Sequence, residues 1–219
     1  MEAEGQGRAG RAMAAGPLAG VRVLDLSGYI AAPYGCTLLA DQGAEVIKIE
    51  PPEGDNLRKY PSTLPAESRA FLGVNFRPSV PGRLGIDYDS LRVLNPRLVY
   101  CAVTGYGESG PLKDKAGYDQ VMQSMTGICA MQGSVEGPEI VYGSVVDYYA
   151  AALVAASISS ALFQRERTGA GQYVGVSLLR AALAMQSSRL VWAEGEGRDA
   201  YRDMRSGGIT GLHPTKEGS

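Results

Sequence analysis

The stretch VRVLDLSGYIAAPYGCTLLADQGAEVIKIE, Val21–Glu50, decides the fold. Val21–Leu26 is short, mostly apolar and β-branched, and is entered from Gly20, which predicts a buried parallel strand. Ser27-Gly28 turns the chain, and Pro33 suits the first turn of a helix running to about Asp41. Gly43 ends that helix, and Glu45–Glu50 gives a second strand. Strand, helix and strand within about 30 residues form a β-α-β unit, the building block of a doubly wound, parallel α/β domain.

The rest of the chain extends this unit. Pro51–Pro65 reads as loop, rich in Pro, Gly and charge. The apolar segment ending at Val74 then runs directly into the Pro-containing Asn75–Pro78, with no room between them for a strand and a helix. Asp87–Leu94 predicts a short helix, Leu98–Thr104 a third strand and Tyr118–Met131 a further helix. Val141–Gly169, VYGSVVDYYAAALVAASISSALFQRERTG, brings a short apolar run up to Asp147 and follows it at once with a long helix of Ala, Ser and Leu. Arg165, Arg167 and Gly169 end that helix as a C-terminus prefers. Gln172–Ser177 is a further strand and Leu178–Trp192 another helix, after which the composition turns polar and glycine-rich.

Asp147 therefore belongs at or just before a helix N-terminus, where the dipole and free backbone N–H groups keep a carboxylate ionised. Two readings stay open at this point. One is an N-cap, contributing ~1 kcal/mol. The other is a carboxylate nucleophile at a helix mouth, set to attack an activated acyl group.

Bulk properties narrow the class. The chain has 219 residues, a net charge of −2 and 45% hydrophobic residues, ordinary values for a soluble globular protein. No basic surplus suggests nucleic acid. The three cysteines, Cys36, Cys101 and Cys129, are far apart, so a disulfide framework is not expected, and the cytoplasm is the predicted location, with the mitochondrion left open. A single histidine, His213, argues against a zinc cluster and a Ser–His–Asp triad. The first 16 residues read as a disordered tail rather than a signal or transit peptide. Tyr148–Phe163 is the longest apolar stretch but is diluted by Ser157, Ser159 and Ser160, so it reads as a buried helix and no membrane is expected. Gly105-Tyr-Gly107-Glu-Ser-Gly110 matches GxGxxG, yet Pro111, Lys113, Asp114 and Gly117 follow, so no helix opens on it to hold a pyrophosphate. Arg77 and Arg83 flank a Pro/Gly bend and are either surface arginines or phosphate contacts.

Pro17–Asp55, Asn75–Pro111 (NFRPSVPGRLGIDYDSLRVLNPRLVYCAVTGYGESGP), Ala116–Asp119 (AGYD) and Arg167–Leu179 (RTGAGQYVGVSLL) together resemble the family III CoA-transferases, a group that includes carnitine and bile-acid CoA-transferases and α-methylacyl-CoA racemases. The resemblance implies a Rossmann-like, doubly wound parallel sheet as large domain, a separate small domain and a homodimer of interlocked chains. It implies coenzyme A transfer between an acyl-CoA thioester and a small carboxylic acid, with the thioester as substrate and no tightly bound cofactor or metal. Matched residue by residue, the nucleophile falls on Asp147, which would form an aspartyl covalent intermediate. CoA-binding positions fall on Ile30, Ala31, Asn75, Phe76 and Arg83, and an acidic position near the nucleophile on Asp119. Racemases of the group carry a histidine where this chain has Tyr118, which favours transferase over isomerase. On this resemblance residues 17–194 are the large domain, 195–219 begin a linker, and a strand–helix–strand segment with basic CoA contacts is absent near 74–76. A chain so shortened also suits a non-catalytic α/β fragment or interaction subunit.

Overall fold

Parallel pairing of the two ends of the Val21–Glu50 unit organises the first part of the fold. In the computed structural model, which describes residues 16–55, 79–133 and 136–186, β1 (Arg22–Asp25) and β2 (Glu45–Lys48) pair in register from Arg22↔Glu45 to Asp25↔Lys48. The crossover is α1 (Ala31–Ala40), with Pro33 in its first turn, where a helical N–H has no partner in any case. Then follow α2 (Ser79–Leu84), α3 (Tyr88–Leu94), β3 (Val99–Thr104), α4 (Asp119–Met125), α5 (Ile128–Gln132), α6 (Val145–Thr168), β4 (Gln172–Ser177) and α7 (Leu178–Ala184). β3 and β4 pair in parallel from Val99↔Gln172 to Thr104↔Ser177. The expected α/β class with parallel strands is present, and the described strands group as two parallel pairs.

Helix α6 is the spine: it packs directly on β3 and β4, and α1 lies between it and the β1–β2 pair. Its buried residues include Val146, Ala150, Val154, Ile158 and Leu162, an i, i+4 repeat that makes one apolar stripe. By length and composition α6 is apolar enough to cross a membrane, but the stripe is covered by α1, α7, β3 and β4, the packing of a core helix. Small residues set the spacing, as the Ala- and Ser-rich sequence predicts. A Cβ added at Gly35 of α1 would lie 2.7 Å from Val154 Cγ1 and 3.1 Å from the Ala151 carbonyl oxygen. Gly169 closes α6 in the left-handed region, its N–H donating to Arg165 O at 2.8 Å.

Side chains alternate across the β3–β4 pair as the pleat requires. Val99, Cys101, Val103, Val174 and Val176 join the core. Tyr100 and Tyr173, partners in register, stack on the opposite face at 5.7 Å with Tyr88 edge-on to Tyr173.

Three expectations need correction. The helix expected over Tyr118–Met131 breaks into α4 and α5, because Gly127 takes φ 84 and Thr126 bonds back to Met122 O at 2.7 Å. The Pro/Gly bend before Arg83 is the short helix α2, which tolerates Pro81 in its first turn. β1 is covered on one side only, leaving Leu24 58% exposed. Its sole described strand partner is β2, and no described element covers that outer face. Of the helix expected over Leu178–Trp192, α7 supplies the first part, and residues 187–192 lie outside the described residues. So do the join at Val74-Asn75, the stretch 195–219 and, Gly16 apart, the expected tail.

Candidate active site

Two consecutive left-handed residues, Gly143 at φ 99 and Ser144 at φ 55, turn the chain into α6. A left-handed serine costs about 1–2 kcal/mol, so the turn needs support from outside. Ser144 is the N-cap by position, yet its side chain makes no capping hydrogen bond. The cap comes from α4. Asp119 Oδ2 accepts the backbone N–H of Val146 at 2.7 Å and of Asp147 at 3.0 Å. Those are two of the donors that a helix leaves without partners in its first turn. Asp119 is itself buried, at 2% exposure.

Asp147 is therefore not the N-cap, although it sits in the first turn. Its carboxylate is half-buried and takes no hydrogen bond from any described residue, because Asp119 already holds the nearest helix donors. Burial first, and the Asp119 carboxylate second, push its pKa up to about 7. This corrects the expectation that the helix mouth keeps Asp147 ionised. A carboxyl that is desolvated and still ionises near neutral pH has the properties of a covalent nucleophile. By contrast, burial pushes the Cys36 and Cys101 thiols up to about 12, far from a reactive thiolate.

A buried amide completes the arrangement. Gln123, one helical turn after Asp119, is fully buried, and its Nε2 donates to Asp119 Oδ1. Nε2 also donates to Val141 O at 3.1 Å, and Oε1 accepts the Val141 N–H at 2.8 Å. The sequence reading missed Gln123, although the i, i+4 spacing from Asp119 places both on one helix face.

Aromatic pairs join this cluster to the start of α1. Tyr118, at the N-cap position of α4, meets Tyr29 edge-on at 6.3 Å, and Tyr148 meets Tyr34 at 5.1 Å. Tyr29 is left-handed at φ 68, just before Ile30 at the N-cap position of α1 and the fully buried Ala31. Ile30, Ala31, Tyr118, Asp119 and Asp147 thus belong to one linked region. Arg83 is exposed in the last turn of α2, and no hydrogen bond or ion pair among the described residues joins it to that region. Asn75, Phe76, Arg77 and His213 lie outside the described residues.

The GxGxxG loop serves packing. A Cβ at Gly105 would lie 2.9 Å from Gly117 Cα, so the segments leaving β3 and entering α4 cross at two glycines. Helix α4 opens only at Asp119, well past the loop. At the carboxyl end of β1, where open α/β sheets bind ligands, a buried ion pair joins Lys48 Nζ to Asp25 Oδ2 at 3.3 Å. Lys48 also donates to Ser27 O, and Asp25 Oδ1 accepts the Ser27 N–H at 2.9 Å. Among the described residues no His, Cys, Asp or Glu cluster suits a metal ion.

A sequence model described as CoA-transferase family III matches residues 18–75 and 72–219, and the chain belongs to that family. It is 35% identical over 214 residues to acetyl-CoA:oxalate CoA-transferase of Acetobacter aceti, covering 81% of this chain and 55% of that protein. It is 34% identical over 203 residues to succinyl-CoA:glutarate CoA-transferase of Mus musculus, covering 77% of this chain and 47% of the relative. The crystal structure of a CAIB/BAIF family protein from Brucella suis aligns with a TM-score of 0.72 at 30% identity, over 80% of this chain and 57% of the other. The chain thus spans about half the length of the curated relatives it matches.

Proposed function

We propose that this chain transfers coenzyme A between an acyl-CoA thioester and a small carboxylic acid, with Asp147 as covalent nucleophile. One observation carries the reading: the half-buried Asp147 carboxyl in the first turn of α6, its backbone held by Asp119 and its pKa raised to about 7. In the proposed sequence the carboxylate attacks the donor acyl carbon, giving a mixed anhydride and releasing CoA thiolate. The thiolate attacks the aspartyl carbonyl, which forms an aspartyl-CoA thioester and frees the donor acid. The acceptor carboxylate then attacks that thioester, and the returning thiolate takes up the new acyl group and restores Asp147. No net oxidation or hydrolysis occurs, so neither a metal nor a redox cofactor is called for.

The relatives named above act on oxalate and glutarate, which makes a small dicarboxylic acid the first acceptor class to test. An isomerase working at the α-carbon needs a second base, and Tyr118 offers a phenol there instead of an imidazole. The two stretches matched to the family meet at residues 72–75, which supports the absence of a family segment at that point. A homodimer is part of the proposal, since Leu24, Ile47 and Ile49 are exposed on the β1–β2 side. The same exposure favours a second reading, a non-catalytic α/β subunit.

The test is CoA transfer from acetyl-CoA or succinyl-CoA to oxalate or glutarate. The proposal expects a new thioester with the natural chain and none above background with Asp147→Ala. Equal activity in both would remove Asp147 from the chemistry. No transfer across the acids tried, with no covalent adduct, would favour the non-catalytic reading.

A further inference from the structure

Segment 141–147 enters α6 from four residues, 141–144, that belong to no helix or strand. It contains the left-handed pair Gly143 and Ser144, and Tyr142 in its middle is 98% exposed. Its two ends are nevertheless fixed by one turn of α4. At the Val141 end, the Gln123 carboxamide pairs with both backbone groups of a single residue, accepting at 2.8 Å and donating at 3.1 Å. At the other end, Asp119 takes the N–H groups of Val146 and Asp147. The link between the two grips is the Gln123 Nε2 bond to Asp119 Oδ1. Gln123 thereby uses its oxygen and both amide hydrogens, all in a fully buried position.

We propose that Gln123 is a positioning residue for Asp147: with Asp119 it clamps both ends of segment 141–147 and so fixes where the Asp147 carboxylate stands. The inference rests on the reading of Asp147 as nucleophile. Neither an acidic nor an apolar side chain of similar size does this work. Glutamate lacks the amide donors and sets a second carboxylate against Asp119, and methionine fills the space but leaves Val141 and Asp119 without their partner. A loosened segment admits water around Asp147 and lets its carboxylate leave the attack geometry, where a displacement of about 1 Å costs on the order of a hundredfold in rate.

Two readouts on the full chain test the clamp, one of them independent of activity. The first is the titration of the Asp147 carboxyl carbon by NMR in the natural chain, in Gln123→Met and in Ile158→Ala. The last variant is a control that destabilises the α6 core away from the clamp. The clamp predicts that Gln123→Met lowers the Asp147 pKa by about one unit or more as water enters, while Ile158→Ala leaves it in place. The second readout is the rate of covalent labelling of Asp147 by acyl-CoA, expected to fall about a hundredfold in Gln123→Met with donor affinity changed little. An unchanged Asp147 titration in folded Gln123→Met, or an equal drop in Ile158→Ala, overturns the inference. If Asp147→Ala retained transfer, the nucleophile reading would fail, and the titration would still judge the clamp.

Discussion

Replacing Asp147 by asparagine should stabilise the protein above neutral pH and leave it unchanged in acid. The folded-state pKa of about 7 lies above the unfolded value near 3.9. The folded chain therefore binds more protons than the unfolded chain between about pH 4 and pH 7, and stability falls as pH rises through that window. Below it, Asp147 is neutral in both states and contributes no pH dependence. Above it, the penalty of holding an ionised, half-buried carboxylate beside Asp119 is fully present. About three units at ~1.4 kcal/mol each set a ceiling of about 4 kcal/mol. Solvent reaching the half-buried side chain reduces this to about 2 kcal/mol. Asparagine keeps the shape without titrating, and Asp119 still caps the helix, so the capping energy is retained. For a chain of this size ~2 kcal/mol corresponds to roughly 4–8 °C in Tm. Thermal unfolding of both proteins between pH 4 and pH 8.5, followed by circular dichroism, should show curves that coincide in acid and separate in base, with Asp147→Asn higher. A variant equally stable or less stable at pH 8.5 would refute the burial argument.

Other substitutions probe the rest of the frame. Lys48→Met leaves Asp25 buried without its cation and should lower stability by about 3 kcal/mol in denaturant unfolding; adding Asp25→Leu should restore most of the loss. Gly35→Ala drives a methyl against Val154 and the Ala151 carbonyl, which should cost about 1–3 kcal/mol and lower Tm. Arg83→Ala, at an exposed helix end, should leave Tm unchanged but weaken CoA binding if the family position is kept. Calorimetric titration with CoA decides this, and equal Kd values would remove Arg83 from the site.

The elements legible in the sequence were those with strong local signals. Alternating and β-branched runs marked the four strands found among the described residues, and β4 has the bounds expected, Gln172–Ser177. Arg165, Arg167 and Gly169 announced the end of α6 because basic residues and a left-handed glycine suit a helix C-terminus. The start of the same helix was misread for a physical reason. Capping looked local, with Asp147 the obvious candidate, but the acceptor comes from Asp119, 28 residues earlier. Spacing along the chain carries no trace of that contact, although Asp119 and Gln123 at i, i+4 marked a polar pair on one face of α4. Gly127 falls inside the span expected as one helix, Tyr118–Met131, and its left-handed backbone breaks that helix. The exposure of Leu24 was invisible because an apolar strand predicts burial only if something packs on both faces.

Heavy-oxygen transfer from the acceptor acid to Asp147 tests the central claim most directly. In the proposed sequence, the acceptor carboxylate attacks the aspartyl-CoA thioester, and the returning thiolate leaves one acceptor oxygen on Asp147. Turnover with an oxygen-labelled dicarboxylic acid, followed by mass analysis of the peptide bearing Asp147, should find heavy oxygen in that side chain. Asp119 should remain unlabelled. Transfer that continues with no label at Asp147 would contradict the covalent mechanism.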